Sequence, residues 1–187
     1  MDLSGQGELV LAFVNTVDVE DGTDELGTPD GLGAWLTSVG LLTGPAAVTA
    51  DDLALATTVR AGLREALGVS VDLAPDPEIV RAADQALGEL PLRVGIGLPG
   101  SGGRPLAGGP GLDPVRQGLA AVAVAWAELV STGESPRLKR CPESTCGWCF
   151  WDGTKNRNRR WCSMRVCGNR SKTRAYAERR RPAAARR

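Results

Sequence analysis

The sequence predicts a mainly α fold with a small β-hairpin. It divides into a helical N-terminal domain (residues 1–134), a compact cysteine-bearing module (135–180) and a basic disordered tail (181–187). Three observations carry this prediction. Apolar residues recur at helical spacing through most of the N-terminal part, between recognisable cap and stop signals. All five cysteines fall within residues 141–167. The charge is split, since residues 137–187 hold 16 Lys and Arg against 3 Asp and Glu, whereas residues 1–136 hold 6 against 19. A formal net charge of zero therefore joins an acidic body to a strongly basic end.

Glu8 to Val17 places apolar residues at 9, 10, 13, 14 and 17, the spacing of a buried helix. Asn15 and Thr16 are expected to be satisfied polar groups near its end. The acidic stretch Asp18–Gly27 lacks the ligand spacing of a calcium loop and is expected to be solvated. A second helix is bounded by Thr28 as N-cap, Pro29 in the first position and Gly40 as stop, with Leu32, Trp35, Leu36 and Val39 facing inward. A third starts near Asp51 and repeats Leu55, Val59, Leu63 and Leu67, and Asp51/Asp52 read as charges favourable at a helix N-terminus. Asp76-Pro77 opens a fourth, with Ile79, Val80, Ala83, Ala86, Leu87 and Leu90 facing in. Leu92, Val94, Ile96 and Leu98 then alternate with Arg93, Gly95 and Gly97, the period of a strand, with a weak return around Arg104–Ala107. The glycines in this region match no phosphate-binding loop. Asp113-Pro114 caps a long, nearly uncharged and hence central helix through Val130, and Ser131–Pro136 forms a hinge into the cysteine module.

In that module Cys141/Cys146 and Cys162/Cys167 form two close pairs, each bracketing four residues, separated by a basic loop of fifteen. The loop is expected to fold as a hairpin that returns the second pair to the first. Four thiolates around one ion make the closed tetrahedral site preferred by Zn²⁺, a structural site with no open position for water or substrate. Cys149 could compete as a ligand or act in redox chemistry, but it lies in the apolar run Trp148–Trp151. That run reads as a short strand, in which a thiol behaves as a small buried hydrophobe. Met164 to Arg180 reads as a helix with Cys167 in its first turns, so a knuckle, a hairpin and a helix start together suggest a treble-clef-like module.

The chain has no histidine, which removes imidazole ligands and the Ser-His-Asp and Cys-His catalytic arrangements. With a closed metal site as well, no enzyme is expected. No long apolar run and no basic leader pattern occur, so a cytoplasmic protein without membrane association is expected.

Arg160-Trp161-Cys162-Ser163-Met164 followed by Cys167-Gly168-Asn169-Arg170, with Arg140-Cys141 and Cys146-Gly147-Trp148 before it, resembles the CGNR zinc finger. LVLAFVNTVD near the start and GLGAWLTSVGLL after it resemble the ABATE domain that usually precedes this finger. The resemblance implies a stress-induced transcription regulator with a DNA-binding finger, and Cys141, Cys146, Cys162 and Cys167 as its ligands. This sequence departs at Cys149, where an aliphatic residue is usual.

The charge split points the same way, toward duplex DNA as partner. Arg157, Arg159 and Arg160 of the loop and Arg165, Arg170, Lys172 and Arg174 of the helix are the candidate nucleic-acid contacts. Arg170 and Arg174 share a helix face and are the candidate base readers. Asn169 is expected to brace the metal loop. The helical domain is expected to sense a small-molecule effector or to mediate association, for instance as a homodimer. Two alternatives fit the same residues. One is a protein-interaction adaptor whose basic module docks on an acidic partner. The other is an RNA binder that stacks bases on Trp148, Phe150, Trp151 and Trp161.

Overall fold

The computed structural model describes residues 5–97 and 105–180; Leu98, Arg104 and the 181–187 tail lie outside them. The elements follow in the order α1 (Gly5–Val14), β1 (Val17–Asp18), β2 (Thr23–Asp24), α2 (Pro29–Ser38), α3 (Ala50–Val69), α4 (Pro77–Leu87), β3 (Leu92–Val94), β4 (Leu106–Gly108), α5 (Pro114–Ser131), β5 (Leu138–Arg140), β6 (Cys149–Trp151) and α6 (Asn169–Arg180). A π-turn, Met164–Gly168, leads into α6. The strands form three separate antiparallel ribbons, β1–β2, β3–β4 and β5–β6.

Local signals set the helix starts. The side chains of Thr28, Asp76 and Asp113 accept hydrogen bonds from the first-turn N–H groups of α2, α4 and α5, with proline next in each case. Thr49 and Asp52 close a reciprocal capping box on α3, which gives Asp52 a specific role beyond a favourable charge. Helix α1 both starts and stops earlier than the apolar spacing suggests. The Thr16 hydroxyl donates back to the Phe13 carbonyl at 2.8 Å, and Val17 leaves to pair with Asp24. The acidic stretch is accordingly a pinned hairpin rather than a merely solvated loop. Arg60, buried on α3, donates 2.6 Å bonds to both carboxylate oxygens of Asp24 and a 2.8 Å bond to the Thr16 hydroxyl.

Helices α1, α2, α3 and α5 enclose the main core, in which Phe13 and Trp35 meet at 5.3 Å between ring centroids. Helix α5 is central as expected, with Val115, Leu119, Val122 and Leu129 buried. Helix α4 lies hard against α3, because Gly62 leaves room where a Cβ would come within 2.1 Å of the Ala83 Cβ. Of the apolar residues expected to face inward on α4, Ile79 is exposed while Ala83 and Ala86 are buried. The alternation after Pro91 does make a strand, but Val94 and Ile96 are 85% and 89% exposed, so its apolar face is not covered by the described residues.

Ribbon β5–β6 belongs to two cores. Its register pairs Leu138 with Trp151, Lys139 with Phe150 and Arg140 with Cys149. Leu138 and Cys149, both 0% exposed, enter the helical core and Trp151 packs against it, whereas Phe150 joins Cys141, Cys146 and Cys167 in a second cluster. Cys149 is thus a buried group on the helical side, outside the four-sulfur cluster. The Asn15 carboxamide secures the join, since its Oδ1 accepts from the Cys149 N–H and its Nδ2 donates to the Cys149 carbonyl, both at 2.9 Å. Arg64 adds a second tie, donating to the Val14 carbonyl at 2.6 Å and the Gly147 carbonyl at 2.9 Å.

Replacing Asn15 with Ala strands one donor and one acceptor on β6, and is expected to destabilise the zinc-loaded chain by about 2–3 kcal/mol in chemical denaturation.

Candidate metal centre

The first cysteine pair sits on the turn between β5 and β6. Cys146 and Gly147 donate their N–H groups to the Glu143 carbonyl at 2.9 and 3.1 Å, which folds residues 141–147 into a knuckle. Gly147 has φ +59°, and an added Cβ would lie 3.2 Å from the Arg64 Nη2, so glycine meets both a conformational and a spatial demand there. The second pair straddles the start of the C-terminal helix. The Ser163 hydroxyl accepts from the Val166 N–H at 3.3 Å, and the π-turn that follows carries Cys167 inward. Asn169 braces this turn as expected, donating to the Arg165 carbonyl at 2.9 Å.

The sulfurs of Cys141, Cys146, Cys162 and Cys167 all lie within 4.8 Å of one another, and the Cys146–Cys162 and Cys162–Cys167 separations are 3.5 Å. Zinc–sulfur bonds of about 2.3 Å in a tetrahedron need sulfurs about 3.8 Å apart, so the donor set fits zinc in number, type and spacing. Cys149 is not part of the group. Burial and the neighbouring thiols push the Cys162 thiol well above the usual range, and burial first of all raises Cys167 to about 11. These two raised thiols disfavour thiolate charge unless a dication holds them, so metal binding here would expel protons and add to the folding free energy of the module.

The fifteen residues between the pairs do not close a hairpin on themselves, because β6 pairs backward with β5. Residues 152–161 form a loop ordered by one buried ion pair. Lys139, 2% exposed, donates to Asp152 Oδ2 at 2.7 Å and to the carbonyls of Arg157 and Arg159 at 2.6 and 2.9 Å. Burial alone would raise the Asp152 carboxyl, but Lys139, the Thr154 hydroxyl and N–H, and the Arg159 N–H outweigh it and hold the group at about 2. Sequence reasoning missed Lys139 and Asp152, because nothing in their local pattern marks them.

The candidate nucleic-acid contacts separate into three kinds. Arg157 and Arg159 are framework. Arg157 bonds the Gly133 carbonyl at 3.0 Å and Glu134 at 3.1 Å. Arg159 donates to the carbonyls of Trp161 and Cys162 and lies 4.6 Å over the Phe150 ring. Arg160, Arg170 and Arg174 are half-exposed and ion-paired. Arg160 meets Asp72 at 2.7 Å, Arg170 meets Glu20 at 2.8 Å, and Arg174 bonds the buried Glu143. Arg165 and Lys172 are exposed with no acidic partner among the described residues. The structure therefore brings Arg170 and Arg174 against carboxylates rather than presenting both to solvent. Glu143 and Glu20 were missed because their partners lie 31 and 150 residues away. Among the aromatic candidates, Phe150 is buried, Trp151 and Trp161 are partly buried, and Trp148 is 39% exposed.

A helical body joined to a basic module with a closed four-thiolate site defines a zinc-finger protein. Comparison with known families agrees. The CGNR zinc finger matches residues 137–180, and the ABATE family, described as "Putative stress-induced transcription regulator", matches residues 7–133. The chain belongs to the ABATE family and carries a CGNR zinc finger. None of the curated proteins matches it.

Two predictions follow from this geometry. Cys149→Ala is expected to keep one zinc per chain at a cost of about 1 kcal/mol, whereas Cys162→Ser loses the metal, as read by chelator-linked zinc release. Asp152→Asn leaves the buried Lys139 without a counter-charge and is expected to cost about 3–5 kcal/mol near neutral pH. Because the folded Asp152 pKa is depressed below its ordinary 3.8, its contribution is present above about pH 4 and is lost as the pH falls toward 2. The stability gap between wild type and Asp152→Asn should narrow across that window.

Proposed function

We propose that the chain is a DNA-binding transcription regulator whose zinc-pinned C-terminal helix lies against duplex DNA. One observation carries this reading. On α6, Lys172 and Arg179 stand seven residues apart on one exposed face, and Arg165 stands exposed on the turn leading into the helix. This basic surface is not used to hold the fold together, unlike Arg157 and Arg159. Contacts from such groups to phosphates give affinity and register without sequence information. Within this reading Arg174 is oriented by Glu143, which fixes the direction in which the rest of its guanidinium can reach a base edge. The metal is structural, since four thiolates leave no open coordination position, and the chain is a binding protein rather than an enzyme.

The helical domain supplies the regulatory input on this reading, by taking a small-molecule effector or by pairing with a second copy. A cytoplasmic location fits that role, and among the described residues no helix is long and apolar enough to cross a membrane. A second reading, a protein-interaction adaptor, is favoured by one observation. Arg160 and Arg170 already engage carboxylates of the chain itself, which is the chemistry of an acidic protein partner. Base stacking on RNA has less support, because Phe150, Trp151 and Trp161 are occupied in packing.

The test is a salt titration of the zinc-loaded chain on mixed-sequence duplex DNA. Arg165→Ala with Lys172→Ala should weaken binding evenly across sequences and lower the slope of log affinity on log salt by about 0.9 per contact. An unchanged slope together with tight binding to an acidic protein surface would instead select the adaptor.

A further inference from the structure

The hairpin β1–β2 reaches across from the helical domain to the finger. Its base is held by the Arg60–Asp24 ion pair, and its turn is braced by Asp18 Oδ1, which accepts from the Glu20 and Asp21 N–H groups at 2.8 and 3.1 Å. The tip leans on the zinc knuckle, with Val19 Cγ2 lying 3.4 Å from where a Cβ on Gly147 would stand. From this tip Glu20 Oε1 meets the Arg170 Nη2 at 2.8 Å, and the two side chains are 46% and 41% exposed. Arg170 opens α6, the helix that also carries the exposed Lys172 and Arg179.

We propose that Arg170 is a phosphodiester-binding subsite of the finger, masked in the free chain by the carboxylate of Glu20, so that a duplex phosphate and the acidic hairpin compete for one guanidinium. The proposal rests on the DNA-binding reading above. A carboxylate and a phosphodiester both offer paired anionic oxygens to the guanidinium fork, and one fork face cannot hold both. The carboxylates of Asp18 and Asp21 ride on the same turn, so a phosphate backbone reaching Arg170 is repelled until the tip withdraws. Withdrawal is cheap on two counts. The strands are only two residues long, and an ion pair this exposed is a weak tether. The hairpin thus sets a modest threshold for nucleic-acid binding through the Glu20–Arg170 contact.

The test measures affinity of the zinc-loaded full chain for a fluorescent mixed-sequence duplex, by anisotropy, for wild type, Glu20→Gln, Arg170→Ala and the double variant. Zinc content and thermal melting confirm that each is folded. Glu20→Gln should tighten binding about two- to fivefold, the range that a half-exposed ion pair can supply. Arg170→Ala should weaken binding and lower the salt slope by about 0.9, and Glu20→Gln should then have no further effect. The same gain from Glu20→Gln with and without Arg170 would reduce the effect to net charge and overturn the masking. Equal duplex affinity for Arg170→Ala and wild type would remove the subsite while leaving the DNA-binding reading intact. Failure of every form, wild type included, to bind duplex would instead remove the DNA-binding reading itself.

Discussion

The period-two alternation of a three-residue ribbon governs how this molecule is put together. Successive side chains on a strand must point to opposite sides, so β5 and β6 can serve two cores at once and separate them. Leu138, Cys149 and Trp151 are given to the helices, and Phe150 to the sulfur cluster. Lys139, on the finger side, cannot be apolar in effect and is neutralised by Asp152 and two carbonyls. A one-residue slip of this register would put Cys149 among the ligands and Phe150 into the helical core. Asn15 and Arg64 oppose that slip, because each bonds a backbone group whose position depends on the register.

Charge in the C-terminal part is divided between construction and display. The basic excess looks uniform along the chain, yet Arg137, Lys139 and Arg159 spend donors on carbonyls of the loop that leads to the second cysteine pair, and Arg157 ties that loop back to Gly133 and Glu134. A small module without much apolar core uses guanidinium groups as multi-point fasteners, for which their rigid fork is well suited. What remains outside that framework is a narrower basic surface than composition suggests.

The elements themselves were legible. Thr28-Pro29, Asp76-Pro77 and Asp113-Pro114 mark helix starts by a chemistry confined to neighbouring residues, and the two cysteine pairs declare a shared ion by spacing alone. The destination of each arginine was not legible, because a guanidinium that meets the Cys162 carbonyl and one that faces solvent have the same local sequence signature. Long-range partners decided these cases: Asn15 with Cys149 across 134 positions, and Glu20 with Arg170 across 150. The end of α1 was misplaced for a similar reason. Val17 continues the apolar spacing, but the hairpin pinned by Arg60 claims it first.

The shared ribbon also bears on portability. Many small metal modules can be moved between proteins as self-sufficient cassettes, but this one ends inside its neighbour. Excised at residue 135, it would carry Leu138, Cys149 and Trp151 as an open greasy seam and leave the β6 edge without its amide partner. A graft onto a new host would have to reproduce that host-side lining as well as the cysteines, so exchange of fingers between such proteins is constrained by the helical surface on which each finger closes.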